Sequence, residues 1–132
     1  MPELTGINHL SLTVTNADSS AAWYMRALGL GKLTEHRSDE HTNILLIHPG
    51  TGLMIGLSSR ANSGGQPFDE HRTGMDHISF TVSSRAALDE WRQHFDEQSV
   101  EQSPVSHLEY GSMLVFRDHD NIQLELFAPV GS

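Results

Sequence analysis

The chain has 132 residues and a formal net charge of −9, from eight basic and seventeen acidic residues. Its 37% hydrophobic and 19% charged residues are typical of a compact globular domain, and the negative charge disfavours nucleic acid or an anionic membrane as a partner. No apolar run is long enough to cross a bilayer, the first residues lack the features of a secretory signal, and cysteine is absent. We therefore expect a cytoplasmic protein without disulfides or thiol chemistry.

The first half of the chain predicts the element order β-α-β-β-β. Residues 7–14 alternate between apolar and polar side chains, which is the pattern of a strand with one face toward a core. Asn16, Asp18 and Ser19 offer N-cap chemistry before the segment 21–30, which predicts a helix that Gly29 ends. Three more strands are predicted over 32–37, 42–48 and 52–59.

The second half predicts the same order after a connecting loop. Residues 60–73 are polar and rich in Gly, Asn, Ser and Pro, so we place a junction there between two modules, 6–59 and 74–128, of one domain. A strand over 75–82 is followed by a helix over 85–95 with Ser83 or Ser84 as its cap. The remaining strands are predicted near Val100 and over 112–117 and 122–127, with a turn at 118–121.

An internal repeat supports two related modules. Residues 6–14 read GINHLSLTV, and 68 residues later 74–82 read GMDHISFTV, with five of nine positions identical, including His9 and His77. Trp23 and Trp91 are also 68 residues apart, and we interpret both as core anchors of their helices. Self-similarity at a fixed spacing indicates duplication of a structural unit.

Strand alternation predicts which side chains share a face. His9 lies on the polar side of the first strand, and His77 takes the same place in the repeat. In the last strand the apolar residues at 122, 124 and 126 leave Glu125 on the polar side. With one helix on the apolar face of each module, the pattern predicts an α+β fold whose polar faces curve around a cavity.

The repeated strand with its histidine, the duplicated element order and the segment FRDHDNIQLELF resemble the vicinal oxygen chelate superfamily, the glyoxalase/bleomycin resistance protein/dioxygenase family. That family includes glyoxalase I, methylmalonyl-CoA epimerase, extradiol dioxygenases, fosfomycin-resistance thiol transferases and bleomycin-binding proteins. The resemblance spans essentially the whole chain. It implies two tandem βαβββ modules that form a curved mixed sheet around a metal and ligand cavity.

The resemblance also implies one divalent metal ion held by the first and last strands of each module. Those positions are His9, His77 and Glu125 here, while Gly56 stands where four-ligand members carry Glu or Gln. Glycine has no side chain to coordinate a metal, so the predicted site is two histidines and one glutamate. Such a triad leaves open coordination positions and suits Fe, Mn, Ni, Co or Zn without distinguishing them.

Further polar residues are candidates for contact with a ligand. As substrate-binding residues on the polar faces we consider Ser11, Thr13, Ser79, Thr81 and Gln123. Serine and threonine on a half-exposed strand are commonly just solvated, which is the plain alternative. His107 and Tyr110 precede a strand of the second module and are candidates for a general acid or base, although a loop histidine usually only faces solvent.

The resemblance implies a metal-dependent enzyme that acts on a small oxygen-bearing molecule. The absent fourth ligand favours a dioxygenase-like or thiol-transferase-like site over glyoxalase I. The alternative is a metal-free protein of the bleomycin-resistance type, which binds and sequesters a drug. We expect a homodimer, as is common for two-module chains of the family, and leave open whether His9 and Glu125 meet within one chain or across two.

Overall fold

The computed structural model describes residues 1–62 and 64–131. The chain divides into two compact units, an N-terminal unit that ends at Gly65 and a C-terminal unit that begins at Gln66. The elements of the N-terminal unit are β1 (Leu10–Thr13), α1 (Ala17–Leu28), β2 (Gly31–Arg37), β3 (His41–Ile47) and β4 (Met54–Arg60). Those of the C-terminal unit are β5 (Ile78–Thr81), α2 (Arg85–Glu97), β6 (Glu101–Gln102), β7 (Ser106–Leu108), β8 (Gly111–Arg117) and β9 (Gln123–Pro129).

The N-terminal unit is a four-stranded mixed sheet with the strand order β1-β4-β3-β2. The edge strand β1 runs parallel to β4, and the other pairs are antiparallel. Helix α1 packs on β3 and β4, where Leu46, Ile55 and Leu57 are fully buried. Trp23 is buried in this core, as its sequence position predicts. The apolar side of the alternating strands therefore meets the helix, and the polar side is left for other contacts.

Helix α1 begins earlier than the hydrophobic pattern predicts because of its cap. Asn16 Oδ1 accepts a hydrogen bond from the Ser19 backbone N–H at 3.0 Å, which satisfies a free donor of the first turn. At the other end Gly29 has φ 73° and its N–H donates to the Met25 carbonyl. Glycine reaches this left-handed conformation at little cost, so it ends the helix where expected.

The C-terminal unit repeats the architecture with one more strand. Its strand order is β5-β9-β8-β6, with β7 also paired to β8, and β5 runs parallel to β9. Ser84 caps α2 by accepting from the Ala87 N–H at 3.1 Å. The helix packs its Phe95 ring 4.6 Å from that of Phe116 on β8. Trp91 lies half-buried beside Phe95.

The predicted α+β class is confirmed, with two mixed sheets that are open and not closed into a barrel. Two details differ from the sequence prediction. Strands β1 and β5 are shorter, so that His9 and His77 lie one residue before them and not within them. Strand β7 was not predicted, since three residues that pair only with β8 carry no alternating pattern. Among the described residues no helix combines the length and apolar character needed to cross a membrane.

Candidate functional site

Glu125 and Ser79 form the base of the candidate site in the C-terminal unit. Strands β5 and β9 are parallel neighbours, and their register places Ser79 beside Glu125. The Ser79 hydroxyl donates to Glu125 Oε2 at 2.5 Å. The Glu125 side chain is only 12% exposed. A carboxylate with so little access to water requires a compensating donor or cation, and the serine supplies one donor.

His77 lies next to this carboxylate. Its Nε2 is 4.0 Å from Glu125 Oε2, and its side chain is 40% exposed. Its other ring nitrogen, Nδ1, is 2.7 Å from Asp76 Oδ1. An ionised carboxylate only accepts hydrogen bonds, so Nδ1 carries the proton in this contact, and in a neutral imidazole the lone pair is then on Nε2. One imidazole nitrogen and one carboxylate oxygen therefore converge on the same space.

These donors fit a divalent metal ion. Metal–nitrogen and metal–oxygen bonds of roughly 2.1 Å place neighbouring ligand atoms of one ion about 3.0–3.4 Å apart and opposite ones about 4.2 Å apart. The His77–Glu125 separation of 4.0 Å is therefore near the upper limit for two ligands of one ion. A neutral imidazole and a carboxylate are also ligands of the type that Fe, Mn, Co, Ni and Zn accept. This pair is consistent with two of the three ligands of the predicted metal site.

The equivalent position of the N-terminal unit contains Gly56. Strand β1 pairs with β4 so that Ser11 lies beside Gly56, the same register as Ser79 beside Glu125. A Cβ atom at position 56 would lie 3.2 Å from Ser11 Oγ and 3.7 Å from Asn43 Oδ1. The space that a fourth ligand would occupy is therefore bordered by a serine hydroxyl and an asparagine amide.

His9 is exposed and lies one residue before β1, as His77 does before β5. Its Nδ1 is 2.7 Å from Asn8 Oδ1. The amide oxygen is an acceptor, so Nδ1 is the donor in this contact too. The two units thus present equivalent histidines, each with Nδ1 in contact with a side-chain oxygen of the residue immediately before it.

The sequence patterns did not predict a series of polar contacts that leads from Asp76, the residue before His77, to Glu70. Gln123 Nε2 donates to Asp76 Oδ1 at 3.0 Å, and Gln123 Oε1 accepts from Arg117 at 3.2 Å. Arg117 also donates to both carboxylate oxygens of Glu70 at 2.7 and 3.2 Å. Hydrogen bonding from Arg117 lowers the pKa of Glu70 to about 2. The one available signal was that Asn8 and Asp76 precede the two histidines of the repeat.

The candidate acid–base residues lie in different surroundings. His107 pairs with the buried Ser112, whose Oγ is 2.9 Å from His107 Nδ1, and Arg85 of α2 donates to His107 Nε2 at 3.1 Å. This is the helix side of the sheet, opposite to Glu125, so the structure does not bring His107 to Glu125. Tyr110 is 65% exposed and stacks on Phe127 with ring centroids 5.9 Å apart. An acid–base role for either residue stays a prediction.

The candidate substrate-binding residues divide into two groups. Ser79 and Gln123 are engaged with Glu125 and Asp76, so their hydrogen bonds support the proposed ligand and its neighbour. The others are exposed on the polar faces of their strands: Ser11, Thr13 and Thr81. Their contact with a substrate also stays a prediction.

A second group of potential ligands lies in the segment before β5. One ligand atom from each of Asp69, Glu70 and His71 falls within 4.8 Å of the others. Hydrogen bonds from the backbone and side chain of His71 lower the pKa of Asp69, and the bond to Asp69 raises the pKa of His71. Glu70 is already paired with Arg117. These contacts account for the cluster as a local ion-pair network.

Comparison with known proteins places the architecture in a family. Residues 6–126 match the family model of the Glyoxalase/Bleomycin resistance protein/Dioxygenase superfamily. The chain is similar to the "Putative ring-cleaving dioxygenase MhqA" of Bacillus subtilis (strain 168), with 29% identity over 96% of this chain and 41% of MhqA. It therefore spans less than half of that relative. The metallothiol transferase FosB of Staphylococcus haemolyticus is 26% identical over 93% of this chain and 83% of FosB.

A solved structure agrees with the fold at higher identity. The crystal structure of a glyoxylase/bleomycin resistance protein/dioxygenase domain from Frankia sp. EAN1pec superposes with a TM-score of 0.88 and 37% identity. The match covers 96% of this chain and 99% of that domain. The architecture of two βαβββ-like units is therefore shared over nearly the full length of both chains.

Proposed function

The chain belongs to the Glyoxalase/Bleomycin resistance protein/Dioxygenase superfamily, and from that premise we propose that it is a divalent-metal-dependent enzyme acting on a small oxygen-bearing molecule. The observation that carries the proposal is the convergence of His77 Nε2 and Glu125 Oε2 at 4.0 Å, with His77 Nδ1 already engaged. We take His77 and Glu125 as two ligands of one ion.

His9 is the proposed third ligand. Its support is the internal repeat, in which it corresponds to His77, and its Nδ1 contact with Asn8, which matches that of His77 Nδ1 with Asp76. Two histidines and one carboxylate leave coordination positions open for substrate oxygens. Gly56 keeps the fourth family position free of a ligand.

The bound ion would supply Lewis acidity to a substrate oxygen. The residues of the chain hold and orient its ligands. Ser79 Oγ–H holds one oxygen of the Glu125 carboxylate, and Asp76 holds the Nδ1 proton of His77. A ligand whose second polar atom is fixed in this way keeps its donor atom in one direction, which lowers the cost of organising the site.

The reaction class is the finer part of the proposal. MhqA is named as a ring-cleaving dioxygenase and FosB as a metallothiol transferase, and both activities suit a site with three protein ligands. A dioxygenase-like or thiol-transferase-like reaction is therefore favoured over a four-ligand isomerase. The chain has a single lysine, Lys32, and no lysine and serine set that matches the oxyanion-binding region of fosfomycin-resistance transferases.

Metal content tests the proposal. We expect elemental analysis of the purified protein, or of protein supplied with Mn²⁺, Fe²⁺, Co²⁺, Ni²⁺ or Zn²⁺, to find one ion per site. His77→Ala and Glu125→Ala should each lose most of it. His48→Ala is the matched control, because His48 bonds to Thr51 in a turn and is not a proposed ligand. Stoichiometric metal in every variant would contradict the ligand assignment.

A metal-free protein that sequesters a cationic small molecule is the second candidate, and the net charge of −9 is compatible with it. In that case the native protein would contain no metal, would take up none, and would bind a cationic drug with equal affinity before and after chelation. We also propose that the protein is a homodimer, as the family resemblance implies. Light scattering should then report a particle of twice 14.6 kDa.

A further inference from the structure

We infer that Asp76 is a positioning residue for His77 and that Gln123 and Arg117 hold its carboxylate in place. The inference rests on the proposed function, because it takes His77 as a metal ligand. Asp76 Oδ1 lies 2.7 Å from His77 Nδ1 and 3.0 Å from Gln123 Nε2. Gln123 Oε1 lies 3.2 Å from Arg117 Nη2, which donates to Glu70 at 2.7 Å. All five residues belong to the C-terminal unit.

The chemistry of these groups sets the direction of every hydrogen bond. The Arg117 guanidinium has donors only, so Gln123 must turn its oxygen toward Arg117. The Gln123 amide nitrogen then faces Asp76, where it donates to Oδ1 and, at 3.3 Å, to the backbone carbonyl. The Asp76 carboxylate has acceptors only, so the hydrogen bond between Asp76 and His77 uses a proton on His77 Nδ1.

The position of this proton determines whether His77 Nε2 can bind a metal ion. A neutral imidazole carries one proton, and with that proton on Nδ1 the Nε2 lone pair is available beside Glu125. In the other tautomer Nε2 would carry the proton and could not bind a metal. Asp76 also fixes the rotation of the ring, since Nδ1 has to stay within hydrogen-bonding distance of the carboxylate. Residues in this role commonly change metal affinity by about 10- to 100-fold when they are removed.

The contacts of Arg117 with Glu70 restrict the motion of the Arg117 side chain. Arg117 is only 22% exposed and Glu70 20%, and two hydrogen bonds of the Arg117 guanidinium go to the two oxygens of Glu70. Arg117 Nη1 donates in addition to the Asn121 carbonyl at 3.0 Å. A guanidinium held at three oxygens has little rotational freedom left, so it presents a fixed donor to Gln123.

The proton position on His77 tests the inference without a metal. Long-range ¹H–¹⁵N NMR of the metal-free protein at mildly alkaline pH distinguishes Nδ1–H from Nε2–H. We expect the Nδ1–H pattern in the wild type, its loss in Asp76→Ala, and a mixture of tautomers in Gln123→Ala. Asp76→Asn still has an acceptor oxygen, so this variant should keep most of the wild-type Nδ1–H pattern. Asp89→Ala and Gln93→Ala, on the exposed side of α2, are the matched controls.

Titration with Co²⁺ provides the second readout. Asp76→Ala should weaken Co²⁺ binding by about 10- to 100-fold. Gln123→Ala should weaken it by a smaller factor, and the two control variants should change the affinity by less than about twofold. An unchanged Nδ1–H pattern in Asp76→Ala and Gln123→Ala, or an Nε2–H pattern in the wild type, overturns the positioning role. Failure of the wild type to bind any divalent ion overturns the proposed function instead, and the NMR comparison still decides whether Asp76 sets the tautomer.

Discussion

Ser79 and Glu125 are side by side on the parallel strands β5 and β9, and the serine hydroxyl donates to the glutamate carboxylate at 2.5 Å. The N-terminal unit repeats the register with Ser11 beside Gly56. The equivalent serines thus lie beside a carboxylate in one unit and beside a glycine, which has no side chain, in the other. This difference makes the two serines a matched pair for experiment.

Ser79→Ala should destabilise the metal-free protein more than Ser11→Ala. Loss of the hydroxyl leaves a mostly buried carboxylate short of a donor, for which we expect a decrease of about 1–3 kcal/mol in the free energy of unfolding. Ser11→Ala removes no carboxylate contact and should stay within about 0.5 kcal/mol of the wild type. Urea unfolding in the presence of a chelator measures both. Equal effects of the two substitutions would argue that the Ser79–Glu125 bond contributes no stability.

Gly56→Glu should introduce a carboxylate at the position equivalent to Glu125. Its Cβ would lie 3.2 Å from Ser11 Oγ, a hydroxyl that can rotate away or donate to the new side chain. We expect a folded protein with higher affinity for Mn²⁺ or Ni²⁺, because a fourth ligand adds an anionic donor to the proposed site. Gly56→Ala, which tests the Cβ alone, should leave the affinity unchanged. Isothermal titration of the metal-free variants distinguishes the two, and weaker binding by Gly56→Glu would count against the alignment of ligand positions.

The Glu70–Arg117 pair should make stability depend on pH in the acid range. Hydrogen bonding from Arg117 lowers the pKa of Glu70 from 4.5 to about 2. Because the folded-state pKa lies below the unfolded one, the pair stabilises the protein above pH 4.5 and loses this contribution as the pH falls toward 2. The stability difference between wild type and Glu70→Gln should therefore be largest at pH 5–7 and disappear near pH 2. Glu90→Gln, on the exposed side of α2, is the control, and an identical acid profile for Glu70→Gln and wild type would contradict the prediction.

His107→Ala should reduce stability and leave metal binding intact. The substitution leaves the buried Ser112 hydroxyl and Arg85 without their His107 contacts, which should cost about 1–3 kcal/mol. Because His107 lies on the helix side of the sheet, the affinity for Co²⁺ should change by less than twofold. Tyr110→Phe keeps the ring that stacks on Phe127 and should alter neither quantity. A large loss of Co²⁺ affinity in His107→Ala would show that the residue acts at the metal site.

Much of the fold follows from local patterns in the chain. Alternation over residues 122–127 correctly predicted that Leu124 and Leu126 are buried and that Glu125 lies on the other face. Asn16, Ser84 and Gly29 bound the helices because capping is a property of a few neighbouring residues. The missed strand β7 has no such local signal, since it exists only through pairing with β8.

The sequence by itself determined the duplication, the α+β class and the face on which His77 and Glu125 lie, because strand alternation is a rule of period two that needs no knowledge of partners. Only the tertiary structure decided which residues on that face touch. A two-residue slip of β5 against β9 would keep every side chain on its face yet place Gln123 or Phe127 beside Ser79 in place of Glu125. The contacts of Ser79 with Glu125 and of Asp76 with Gln123 span 46 and 47 residues. Such pairs depend on register, which packing and hydrogen bonding of the whole sheet select.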